Sequence, residues 1–103
     1  MSEGHNHTVR GENVVLDVGG EIGALVVYTP ADLAGQEIEI SPVDGDGTRT
    51  HTEVHPRNIP GRTVYAGVFP QLKAGDYRLW PPGAEKGVSV RIQGGRVAEL
   101  DLR

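Results

Sequence analysis

No segment of this chain sustains the 3.6-residue apolar spacing of a helix. Short runs rich in Val, Ile and Leu are instead interrupted every few residues by Gly, Pro, Asn or Asp. Several runs alternate apolar with polar, which places successive side chains on opposite faces of a strand. The pattern predicts an all-β fold: an antiparallel, Greek-key-like β-sandwich of about seven or eight short strands. With 103 residues the chain suits one domain. We divide it into a flexible polar tail over 1–11 and a single sandwich domain over 12–103. The 15 glycines and 7 prolines are spread along the chain, as many turns require.

Residues 13–18 and 22–28 are apolar at nearly every position and flank Gly19-Gly20, a tight-turn signal. They are expected to pair as central strands, covered on both faces or packed on a second copy of the chain. Residues 37–41 turn Ile38 and Ile40 inward and Glu37 and Glu39 outward. After a turn at 43–48, residues 49–55 read as one strand with His51, Glu53 and His55 on one face, ended by Pro56. Strands follow at 63–69, 77–80, 88–92 and 96–102, the last after a turn at Gly94-Gly95.

Leu72-Lys73-Ala74-Gly75-Asp76-Tyr77 has the form L-x-x-G-x-Y. That spacing predicts a tyrosine corner, in which a Tyr entering a strand returns its hydroxyl to nearby backbone. Together with Gly35, Ile38-Glu39-Ile40, Phe69-Pro70-Gln71, Leu79, Val88-Ser89-Val90, Gly94-Gly95 and Leu100-Asp101-Leu102, the motif resembles the carboxypeptidase-regulatory, transthyretin-like and collagen-binding-B group of sandwich modules. The resemblance covers about two-thirds of the chain. It implies an accessory, adhesive or stalk module. The Lys-to-Asn crosslink of many collagen-binding-B modules is not expected, because Lys73 and Lys86 both fall in turns.

The formal net charge of −4 argues against a nucleic-acid partner, which calls for a basic face. The absence of cysteine excludes a disulfide framework, a thiolate zinc site and a cysteine nucleophile. No apolar run approaches the roughly 20 residues of a membrane helix. The first residues hold no apolar core of a secretion signal, so the expected location is cytoplasmic.

Two constellations stand out. Trp80, with Arg78 and Arg91, is expected on an outer sheet face as an anchor for a sugar, a cationic ligand or another protein, the alternative being that Trp80 caps the open end of the sandwich with Pro81 and Pro82 packed on it. His51, Glu53 and His55 share a strand face, and His5 and His7 of the tail could complete a metal site with them. Neighbours at i and i+2 lie roughly 6.6 Å apart, so the strand alone offers at most two ligands, whereas zinc takes three or four. Arg49, Arg57, Arg62, Arg78 and Arg91 are read as outward and paired across strands with Glu37, Glu39 and Glu53, the alternative being a local anion-binding patch. No serine or carboxylate arrangement resembles a catalytic centre, and no glycine pair opens a helix as a phosphate loop would. The expectation is a non-enzymatic interaction module without a cofactor, binding a protein partner or itself as a homodimer. The alternative is a metal- or small-ligand-binding protein using the His51/Glu53/His55 face.

Overall fold

A computed structural model describes residues 6–8, 15–45 and 48–103, with side chains from Val18 onward. It is an all-β sandwich. Among the described residues ten strands run in chain order: β1 (Asn6–Thr8), β2 (Val15–Asp17), β3 (Ile22–Thr29), β4 (Glu37–Pro42), β5 (Thr50–Glu53), β6 (His55–Ile59), β7 (Arg62–Lys73), β8 (Gly75–Trp80), β9 (Val88–Ile92) and β10 (Val97–Asp101). One sheet has the order β10-β3-β7-β6, the other β5-β4-β8-β9, and β1 pairs with β2 in a separate ribbon. One turn of 3-10 helix, Ala31–Leu33, links β3 to β4. No helix among the described residues is long and apolar enough to cross a membrane.

The alternating patterns dictate the core. Leu25 and Val27 of β3 and Phe69 and Leu72 of β7 meet Ile38 and Ile40 of β4, Tyr77 and Leu79 of β8 and Ile92 of β9. Phe69 and Leu72 are three residues apart, which would put them on opposite faces of a regular strand. A bulge resolves this: Gly23 pairs with Leu72 and Leu25 with Phe69, so three steps on β7 match two on β3. Gly67 marks a close approach of the sheets, since a Cβ there would stand 2.8 Å from Ile38 Cδ1 and 3.0 Å from Thr52 Cγ2.

Strand β3 is buried on both faces, as its unbroken apolar composition requires. Ala24 and Val26, with Ala66 and Val68 of β7, form a second apolar cluster closed by Val18, and β2 lies against both strands. The apolar surface of β3, part of what suggested a second copy, is therefore covered within the chain; residues 13 and 14 lie outside the described residues, and the side chains of β2 are not described. Val43 is the only large apolar side chain left exposed among the described residues.

Four details depart from the sequence reading. First, among the described residues the expected pairing of 13–18 with 22–28 gives way to one bridge, in which Gly19 and Ile22 exchange two 2.9 Å hydrogen bonds. Both edges of β3 are already taken, by β7 and β10, so β2 crosses the sheet face and pairs with β1. Asn6–Thr8 of the expected tail supplies that ribbon strand; residues 1–5 and 9–11 of the tail lie outside the described residues, as do Asp46 and Gly47 of the 43–48 turn.

Second, the segment read as one strand over 49–55 is two strands in different sheets. Val54, fully buried, carries the chain across, and β6 continues through Pro56. Proline is tolerated there because β6 is an edge strand. Third, β10 runs parallel to β3, the exception to the antiparallel expectation. The Gly94-Gly95 turn sets the chain down at the start of β3, where Gly95 N–H donates to Ile22 and Ala24 N–H to Arg96, so both strands leave in one direction. That turn needs glycine, because a Cβ on Gly94 would overlap the Gly20 carbonyl oxygen. Fourth, Arg57 is not outward but only 4% exposed, with Nε and Nη2 donating to the Ala66 carbonyl.

The tyrosine corner forms. Tyr77 is buried, and its hydroxyl donates to the Lys73 carbonyl at 2.6 Å across the crossover from β7 to β8. Tyr77→Phe removes that bond and should cost about 1 kcal/mol, seen as a drop of about 4–8 °C in Tm. Gly94→Ala should cost about 1–3 kcal/mol by overpacking, measured by urea unfolding.

Candidate functional site

The outer face of the β5-β4-β8-β9 sheet gathers the polar halves of four alternating strands. With Tyr77 and Leu79 turned into the core, Asp76, Arg78 and Trp80 point outward from β8. Beside them β4 presents Glu37, Glu39 and Ser41, with Glu39 opposite Trp80 and Ser41 opposite Arg78. On the other flank β9 sets Ser89 opposite Arg78 and Arg91 opposite Asp76. At the far edge β5 sets His51 opposite Glu39 and Glu53 opposite Glu37.

Trp80 is the centre of this face and is half-buried. Its indole Nε1 donates to Ser41 Oγ at 3.1 Å, satisfying the one polar atom of the ring. The Arg49 guanidinium stands over the ring, 4.2 Å from its centroid, and its Nη1 donates to Glu39 Oε1 at 2.8 Å. The chain at Gly87 walls one side of the ring: a Cβ there would meet Arg78 Cβ at 3.0 Å and the indole at 3.4 Å. A cleft of about 440 Å³ opens beside the indole, lined by Glu37, Glu39, Arg49, Trp80 and the loop from Pro81 to Glu85.

The predicted anchor residues thus share one face, although their roles differ. Arg91 is engaged, with Nε donating to Asp76 Oδ1 at 3.0 Å. Arg78 is exposed between Ser41 and Ser89, and none of the described residues bonds or pairs with its guanidinium. Arg49 and Glu39 are site residues that the sequence reading placed only among cross-strand ion pairs. Alternation turns Glu39 outward, but the pairing of β4 with β8, which sets Glu39 against Trp80, is not visible in the sequence.

The histidine constellation is broken up. His51 lies on β5 and approaches Glu37 at 3.7 Å, while His55 lies on β6 in the other sheet and approaches Glu53 at 4.0 Å. The crossing at Val54 destroys the common face on which the metal reading depended. Among the described residues no three His, Cys, Asp or Glu side chains could hold a metal ion. His5 lies outside the described residues, and the side chain of His7 is not described.

Comparison with known proteins returns no counterpart: no family model, no curated protein and no solved structure matches the chain.

The Arg91 guanidinium holds the Asp76 carboxyl below its ordinary range, by its hydrogen bond first and its charge second. Because the folded value lies below the unfolded one, the pair stabilises the fold above the unfolded pKa of about 3.9, and that contribution is lost as pH falls through the folded value. Both side chains are largely solvated, so the effect on stability is small. Arg91→Ala should return Asp76 to the ordinary carboxylate range, read by NMR titration of its side-chain carboxyl.

Proposed function

We propose that this chain is a non-enzymatic interaction module that binds a protein partner through the outer face of the β5-β4-β8-β9 sheet. The observation that carries the reading is Trp80: a half-buried indole, fixed through its N–H to Ser41, beside an open cleft on a face otherwise made of charged and hydroxyl side chains. A large, rigid aromatic held at low conformational cost and surrounded by polar groups is the usual make-up of a binding hot spot and its rim. Arg78 adds a cation that none of the described residues pairs, and Arg91 lies one strand beyond it.

The partner is a different polypeptide rather than a second copy. The apolar side chains of β3, which would call for self-association if exposed, are covered within the chain, and the face around Trp80 is too polar to resemble the core of an obligate dimer. The likeness of residues 35–102 to carboxypeptidase-regulatory and transthyretin-like modules, mostly accessory in role, agrees with this assignment.

The test is affinity capture from lysate of the source cells, comparing the wild-type chain with a Trp80→Ala, Arg78→Ala double variant. A retained protein lost in the variant, while both chains melt alike and scatter light as 11 kDa species, is the expected result. Equal retention by both chains would move the binding surface elsewhere.

A further inference from the structure

The cleft beside Trp80 is unevenly charged. Three carboxylates, Glu37, Glu39 and Glu85, line it against one guanidinium, Arg49. That guanidinium lies on the indole face and is tied to Glu39. An indole face attracts cations through its quadrupole, and a planar guanidinium stacks on it well. Arg49 therefore shows what the ring accepts. Its hold is weak: the side chains of Arg49 and Glu39 are 46% and 44% exposed, and ion pairs so exposed contribute little. The carboxylates that line the cleft outnumber its one guanidinium, and Glu85 makes no ion pair with the described residues.

We propose that the Trp80 cleft is a receptor for a cationic side chain, Arg or Lys, from a partner polypeptide, and that Arg49 is an internal stand-in which the incoming cation displaces. The proposal rests on the reading that this face binds a partner, and it specifies the chemistry of that partner. The incoming cation stacks on the indole and is held by Glu37, Glu39 and Glu85, while Pro81 and Pro82 supply stiff walls. On the other side of the indole stands the cation of Arg78, and beyond it Arg91 with its Asp76 partner. A segment carrying a basic residue next to an acidic one fits both halves, with the acidic residue over Arg78.

Trp80 is the only tryptophan in the chain, so its fluorescence reports on the cleft alone. The full chain is titrated with a blocked tri-arginine peptide and, in parallel, with a blocked tri-glutamate peptide. Tri-arginine should change the fluorescence saturably and tri-glutamate should not. Arg49→Ala should tighten tri-arginine binding by removing the internal competitor. A Glu37→Gln, Glu85→Gln double variant, which leaves the Arg49–Glu39 pair intact, should weaken it about fivefold or more. All variants are checked for an unchanged thermal melt.

A flat tri-arginine titration in both the wild type and Arg49→Ala overturns the proposal. Weaker binding in Arg49→Ala also overturns it, because Arg49 would then be a contact and not a stand-in. Saturation by tri-glutamate alone overturns the cationic specificity yet leaves the partner-binding reading standing. Self-association that Arg78→Ala abolishes would give the cleft to a second copy and overturn the external partner.

Discussion

Strand β3 has no free side. β7 and β10 take its two edges, the inter-sheet core takes one face, and Val18 with its neighbours takes the other. A strand rich in Val and Leu with no charged residue can be stable only in such a place, because each exposed apolar side chain would forgo roughly 1.5–3 kcal/mol of burial. The remaining architecture follows from filling those four positions. β2 is forced off the sheet edge and onto its face. β10 must arrive beside β3, and it can do so only because Gly94 carries no Cβ to strike the turn at Gly20. The second sheet then needs just one apolar face, which leaves its other face free for polar chemistry.

Much of this was legible in the sequence, for identifiable reasons. Alternation at Glu37–Glu39 and at Val88–Ile92 reports facing directly, and the structure orients those residues as expected. The L-x-x-G-x-Y spacing reports a local hydrogen bond between residues four apart, and Tyr77 makes it. What the sequence conceals is which strands become neighbours. Residues 49–55 read as one strand because period-two alternation nearly survives the crossing; one buried residue, Val54, decides that His51 and His55 part company. Arg57 misleads for a related reason. Its position is outward with respect to the sandwich core, yet that sheet face is itself covered, so the side chain ends up buried with its donors on the Ala66 carbonyl. The parallel placement of β10 is likewise a long-range outcome that no local pattern announces.

The two outer faces have diverged in character. On the β10-β3-β7-β6 sheet the outer face holds small and branched apolar side chains under a cover supplied by the same chain. On the β5-β4-β8-β9 sheet it is charged, with one aromatic among ions of both signs. Charges there pair with the opposite sign in Asp76 with Arg91 and in Glu39 with Arg49, while Glu37 and Glu53 are like charges directly opposite and each draws a histidine near. A surface of this kind discriminates by charge more than it adheres by area.

The parallel pairing of β10 with β3 also bears on how the chain is made. Ala24 must wait for Val97, and Tyr28 for Asp101, so an edge of the most apolar strand stays open until residues far along the chain have left the ribosome. The neighbouring hairpins, β4 with β5, β6 with β7 and β8 with β9, can close as they emerge. The order of synthesis thus separates early local pairing from a late closing step. During that interval the open edge of β3 is exposed to mispairing with another chain.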